Sequence, residues 1–114
     1  MWLVTTEDEF DTWFDSLSEA AQESVLAAIQ ALKECGPMTG RPLVDTVKGS
    51  KFPNMKELII QYKGAPLRVF FAFNPSRNAV MLCGGNKQGK KRFYVDMIRL
   101  ADAVLERHLQ KQAG

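Results

Sequence analysis

Three stretches rich in β-branched and aromatic residues follow one another within 28 residues: Lys56–Tyr62 (KELIIQY), Leu67–Phe73 (LRVFFAF) and Ala79–Cys83 (AVMLC). Each has the length and composition of a strand, and the links KGAP and NPSRN are turn sequences. Neither link can hold a crossover helix, so successive strands must run antiparallel as a meander. The rest of the chain has to pack against that sheet. In the middle strand a period of two places Leu67, Val69, Phe71 and Phe73 on one face and Arg68 on the other. If the four apolar residues face the core, Arg68 projects from mid-strand into solvent. The third stretch is a continuous apolar run, which marks it as buried. It breaks off at Gly84-Gly85, where the spacing predicts a strand end with unusual dihedrals, followed at once by Lys87, Lys90, Lys91, Arg92 and the pair Phe93-Tyr94. The tract GGNKQGK lacks the Walker spacing, because Gly89-Lys90 is followed by Lys91 and not by a hydroxyl residue.

Helical signals flank the meander. Trp2–Thr5 reads as an opening strand, and Thr6-Glu7-Asp8-Glu9 has the form of a capping box. Phe10, Trp13, Phe14 and Leu17 then share one helical face, an aromatic stripe expected in the core. Ser16 or Ser18 can cap a second helix, in which Ala21, Val25, Ala28, Ile29 and Leu32 keep the period until Gly36-Pro37 stops it. Two antiparallel helices in a hairpin follow. Pro37 to Asn54 supports at most a short strand. A last helix, Phe93 to about Gln110, carries Met97, Leu100, Ala101, Val104 and Leu105 inward, with His108 near its end and Gln110 to Gly114 expected to fray. The fold class is therefore α+β: one domain over residues 1–114, an antiparallel sheet with the N-terminal helical hairpin and the C-terminal helix packed on one face.

Charge is divided along the chain. Residues 1–40 hold eight acidic residues against one lysine, whereas residues 41–99 hold twelve basic against three acidic. A basic half of this kind suits a phosphate-bearing partner. No apolar run reaches membrane-spanning length, and the N-terminus turns acidic after four residues, so the expected location is the cytoplasm and no membrane partner is expected. Cys35 and Cys83 have no CxxC spacing, and with His108 as the one histidine they form no zinc set; both are read as reduced and structural, with no metal and no cofactor.

The element order, together with Lys48-Gly49, Asn54-Met55-Lys56-Glu57-Leu58, the Leu67–Phe73 strand and Gly84-Gly85-Asn86-Lys87 running into Arg92-Phe93-Tyr94, resembles the RelE/ParE/HigB superfamily of bacterial and phage toxins, in its phage Gp49-like, HigB-like branch. The resemblance covers nearly the whole chain and implies a small RelE-like fold. It implies the toxin of a type II toxin–antitoxin system, a ribosome-dependent endoribonuclease (mRNA interferase) acting on mRNA and neutralised by a helix-turn-helix, HigA-like antitoxin. ParE-like members act on DNA gyrase instead, and a non-catalytic RNA- or protein-binding module is a third reading, so function has to be argued from the site.

RNA can be cleaved without metal if a 2′-hydroxyl is deprotonated, the phosphorane is stabilised by fixed cations and the 5′-oxygen is protonated. The matching positions are Lys56, Arg68, Lys87 and Tyr94. By resemblance Arg68 clamps the phosphate, Lys87 backs it, Tyr94 stacks on or orients a base, and Lys56 acts as base where neighbouring cations depress its pKa. Lys48, Lys90, Lys91 and Arg92 are expected to hold RNA. HigB-like relatives often bring a histidine and an acidic residue to the site. Here His108 lies far down the last helix and the loop offers Gln88 and Gly89, which leaves the acid and base open.

Overall fold

The computed structural model describes residues 1–113. Its elements are β1 (Leu3–Thr6), α1 (Asp8–Asp15), α2 (Glu19–Cys35), a 3₁₀ turn (Gly36–Met38), β2 (Val44–Thr46), β3 (Lys56–Tyr62), β4 (Ala65–Phe73), β5 (Asn78–Asn86) and α3 (Phe93–Ala113). The strands form one sheet in the order β1-β5-β4-β3-β2. The α+β class and the meander are as the sequence leads one to expect.

The sheet is mixed, not purely antiparallel. β1 runs parallel to β5, with Leu3 opposite Asn78 and Thr6 opposite Met81, because the α1–α2 hairpin between β1 and the meander is long enough to act as a crossover. β2, the short strand expected somewhere in 37–54, adds to the other edge by pairing with β3.

The helices do not gather on one face. α1 and α2 bury Phe10, Val25, Ile29 and Leu32 against Leu58, Ile60, Leu67, Val69 and Phe71. α3 buries Phe93, Ala101, Val104 and Leu105 against Phe70, Ala72, Val80 and Leu82 on the opposite face. The continuous apolar run of β5 contains the reason, since a strand buried on both faces has no polar side to leave bare. Phe70 and Phe71, adjacent in β4 and both fully buried, serve one core each, and each burial contributes roughly 1.5–3 kcal/mol.

Local chemistry explains most boundaries. Ser18 caps α2, its hydroxyl accepting the Ala21 N–H at 3.2 Å. α2 stops at Gly36, whose φ of +62° is hard for an L side chain and whose missing Cβ leaves room for the Trp2 indole. The Thr6–Glu9 capping box does not form. Thr6 is the last residue of β1, the N-cap is Glu7 without a side-chain cap bond, and the Glu9 carboxylate is taken by Arg107 at 2.6 Å. Between β3 and β4 the turn is only Lys63-Gly64, both with positive φ (46° and 80°), so β4 begins at Ala65, two residues before the expected Leu67. Leu100 sits off the buried stripe of α3 and is 39% exposed, while His108 is on it. α3 continues to Ala113, past the Gln110 at which fraying was expected; Gly114 lies outside the described residues.

The glycine pair does not end β5. The strand runs through Gly84-Gly85 to Asn86, and neither glycine has positive φ. A β-bulge pairs Phe70 with Cys83 and Phe71 with Met81, leaving Leu82 as the extra residue and shifting the alternation by one. Gly84 therefore falls beneath the Trp13 ring of α1, and Gly85 beneath Phe93 of α3. Glycine is required at Gly84, where a Cβ would collide with the Trp13 ring, whereas at Gly85 it would stand 3.0 Å from Phe93, a tight contact that a small shift of the ring relieves. Cys83, buried in the same strand, has its thiol pushed up to about 12 by burial, while Cys35 is exposed; neither is in a disulfide.

Candidate functional site

The first turn of α3 lies over the sheet, with Phe93 and Tyr94 both packed on Phe70 in the middle of β4 and the Tyr94 hydroxyl reaching Glu57 of β3. In the β3–β4 register Ile59 faces Arg68 and Glu57 faces Phe70, so Glu57 and Arg68 are diagonal neighbours on the α3 face. Arg68 Nε is 3.3 Å from Glu57 Oε1, and the two side chains are only 11% and 10% exposed. Tyr94 donates its hydroxyl hydrogen to Glu57 Oε1 at 2.7 Å. The Lys87 ammonium lies over the Tyr94 ring, 5.6 Å from its centroid. Burial, then the Glu57 carboxylate, push the Tyr94 phenol above its ordinary pKa, so Tyr94 stays a neutral donor.

Arg68 is thus not a solvated arginine on a bare face. α3 covers that face, and Arg68 spans the sheet beneath it with Nη1 donating to the Leu67 carbonyl at 3.0 Å. Its Nε–H is buried and, although close to Glu57, is not aligned for a hydrogen bond; the contact is electrostatic. A buried cation with an uncommitted donor is suited to an anion.

Arg68, Lys87 and Tyr94 are brought together; Lys56 is not. Alternation puts Lys56 on the face of Leu58 and Ile60, opposite to Glu57, where its ammonium donates to Thr46 Oγ1 at 3.1 Å. Lys48 lines a cavity of about 490 Å³ with Gly49, Tyr94, Ile98 and Arg99. The loop carrying Lys48 is fastened to α3 because Asp102 accepts from the Ser50 hydroxyl and the Lys51 N–H. Lys90 and Arg92 line a cavity on the other side of Phe93-Tyr94, and Lys91 is exposed. Sequence reasoning missed Glu57 and Arg99. The two-residue turn at Lys63-Gly64, had it been recognised, fixes the register and with it the Glu57–Arg68 diagonal.

His108 does have a partner, at the other end of α3, roughly 20 Å along the helix from Tyr94. Its Nδ1 lies 2.8 Å from Glu7 Oε2, and Arg107 and Lys111 reach the same carboxylate at 3.0 and 3.1 Å. This cluster ties α3 to the start of α1 and is separate from the Tyr94 site. Among the described residues no group of three or more His, Cys, Asp or Glu side chains is placed to hold a metal ion, and no helix is long and apolar enough to cross a membrane.

Three comparisons bear on this geometry. The chain is 43% identical over 110 residues to the candidate toxin HigB2 of Mycobacterium tuberculosis (strain ATCC 25618 / H37Rv), covering 95% of this chain and 54% of that protein. It is also 43% identical over 107 residues to the candidate toxin HigB3 of the same strain, covering 93% and 92%. The chain spans about half the length of the first relative and nearly all of the second. Its fold is similar to that of the isolated E. coli RelE toxin, with a TM-score of 0.64 at 9% identity, covering 87% of this chain and 98% of that one. In the crystal structure of the intact E. coli RelBE toxin-antitoxin complex one chain matches with a TM-score of 0.59 at 8% identity, covering 75% of this chain and 95% of that one. Residues 12–106 match the family model described as "Phage derived protein Gp49-like (DUF891)", and with most of its length inside that match the chain belongs to the Gp49-like family.

Proposed function

We propose that this chain is the toxin of a type II toxin–antitoxin pair and that it cleaves messenger RNA on the ribosome by metal-independent attack of a 2′-hydroxyl. The observation that carries the reading is the Glu57–Arg68–Tyr94 cluster, a carboxylate, a guanidinium with an uncommitted buried N–H and a phenol joined within hydrogen-bonding range. The relatives named as toxins and the RelE-like fold support the same class. Cations without an ion-pair partner among the described residues surround the first turn of α3 and suit the RNA backbone, with Lys48 and Arg99 on one side and Lys87, Lys90 and Arg92 on the other.

In this reading Glu57 supplies the base that Lys56 cannot, because Lys56 lies on the other face. Glu57 takes the proton from the 2′-hydroxyl, the 2′-oxygen bonds to phosphorus, and Arg68 and Lys87 balance the added negative charge. The P–O5′ bond breaks. Tyr94 gives its hydroxyl proton to the departing oxygen and recovers one from Glu57, leaving a 2′,3′-cyclic phosphate and a 5′-hydroxyl. The partner that holds the activity in check is a helix-turn-helix antitoxin, and the cellular setting is the cytoplasm.

Primer extension on translating ribosomes tests the assignment. Wild type is expected to truncate messages, with cleavage surviving a chelator at a level that leaves ribosomes intact, and the double variant Glu57→Gln/Arg68→Met is expected to leave them whole. Intact messages with an induced DNA-damage response on expression would move the target to gyrase.

A further inference from the structure

We propose that the cavity between α1 and the first turn of α3 is a nucleobase subsite, seating one base of the RNA beside the Arg68–Tyr94 cluster; the proposal rests on the ribonuclease reading above. The cavity, about 460 Å³, exists because β1 pairs with β5 only as far as Met81, whereas β5 continues to Asn86. Along that stretch no strand among the described residues flanks β5 on the β1 side, and α1 and α3 stand on either side of it.

Its walls are apolar and its rim is charged. Trp13 lies over Gly84 on one side, and Phe93 over Gly85 with Met97 on the other, so an opening lined by two aromatic rings stands at the glycine pair. Lys90 and Arg92 line the same cavity, and neither has an ion-pair partner among the described residues. Two groups can read a base edge. Asn86 uses its Oδ1 to accept the Gln88 N–H, which leaves its amide N–H₂ to donate, and the Asp96 carboxylate has no ion-pair partner among the described residues.

Aromatic faces, one donor and one acceptor for an edge, and two cations for the phosphate form the complement of a nucleotide. A partner protein's apolar side chain would satisfy the walls alone and leave four polar groups idle. Position agrees as well. Gly85 is paired with Arg68 across β4–β5, and Phe93 adjoins Tyr94, so the cavity opens next to the proposed scissile phosphate. Among the four bases guanine alone offers two adjacent donors to a carboxylate, so Asp96 favours guanine.

The test uses the two tryptophan indole N–H resonances of the ¹⁵N-labelled protein, with Trp13 assigned through Trp13→Phe. GMP, AMP, CMP and UMP are titrated separately. Trp2 packs on Phe73 at the other end of β4 and serves as the internal control. The Trp13 resonance is expected to shift saturably, GMP acting at the lowest concentration, while Trp2 stays fixed. Read from the Gly84 and Gly85 backbone amide resonances of the same labelled protein, which line the cavity and survive the substitution, Trp13→Ala is expected to weaken GMP binding roughly 5- to 150-fold, the range for losing one stacked base, and Trp13→Phe to retain it. Asp96→Asn, an exposed and structurally mild change, is expected to abolish the preference for guanine. No Trp13 shift at millimolar nucleotide, or unchanged GMP affinity in a folded Trp13→Ala, would overturn the subsite. Nucleotide binding with no ribosome-dependent cleavage would instead leave the pocket standing and refute the ribonuclease.

Discussion

Arg68→Ala removes the guanidinium from a carboxylate that stays behind in the sheet. Glu57 and Arg68 are each only about a tenth exposed, at 10% and 11%, so neither charge is rehydrated when the other is lost. Deleting one partner of a buried pair costs roughly 3–5 kcal/mol. Glu57 keeps its 2.7 Å hydrogen bond from Tyr94, which places the expected loss near the lower end, at about 3 kcal/mol. That is a large share of the 5–15 kcal/mol typical of a whole domain. A solvated surface arginine would cost less than about 0.5 kcal/mol. Removing both charges at similar volume, as in Glu57→Gln/Arg68→Met, leaves no orphaned ion and is expected to return stability to within about 1 kcal/mol of wild type. Urea unfolding followed by tryptophan fluorescence at neutral pH, on wild type, both single variants and the double, measures these differences by linear extrapolation. A loss below about 1 kcal/mol for Arg68→Ala would refute the reasoning and return Arg68 to an exposed position. The result also governs how toxicity is read, since Arg68→Ala can fail in cells by unfolding, whereas a stable and inactive double variant isolates the chemistry.

Replacing Lys90 and Lys91 by alanine is expected to lower the slope of log affinity against log salt for RNA or ribosomes by about 2, measured by filter binding over a salt series; a salt-independent wild type would point to a protein target. Lys56→Ala is expected to leave message cleavage near wild type, because its ammonium faces away from Tyr94, and a loss as deep as that of the double variant would contradict the placement. At the far end of α3, burial by itself raises Glu7, but hydrogen bonds from His108, Arg107 and Lys111 outweigh it and hold the carboxyl at about 2, below the usual 4.5. Its folded pKa is depressed, so its stabilisation is complete above the unfolded value and disappears as pH falls from 4.5 toward 2. Acid titration of stability should therefore be flatter in Glu7→Gln over that range; an unchanged acid limb would show that the cluster does not act this way.

Much of the fold was legible because periodicity and turn chemistry are local. The stripe around Phe10, a serine cap at Ser16 or Ser18, the Gly36 stop and the three strands of the meander follow from local pattern; the fold picks Ser18. The errors share a different origin. Thr6–Glu9 has a capping pattern, but β1 pairing claims Thr6 and Arg107, nearly a hundred residues away, claims Glu9. Gly84-Gly85 reads as a strand end, yet the glycines serve two aromatic rings brought from opposite faces. At the site, the resemblance led to Arg68, Lys87 and Tyr94, but not to Glu57, whose partner across the hairpin is set by a two-residue turn.

The sequence by itself determined which residues alternate, where the chain must turn and how charge is divided, because each depends on neighbours a few bonds apart. Tertiary structure alone decided what covers the second face of the sheet. A strand's alternation fixes that Arg68 and Phe70 share a side, but whether that side meets water or a helix depends on where α3 docks, through contacts between segments that the chain does not connect locally. Docking α3 turned an exposed arginine into half of a buried ion pair and set Tyr94 over Glu57. The bulge at Leu82 shifted the alternation of β5 and so set Gly84 beneath Trp13 and Gly85 beneath Phe93.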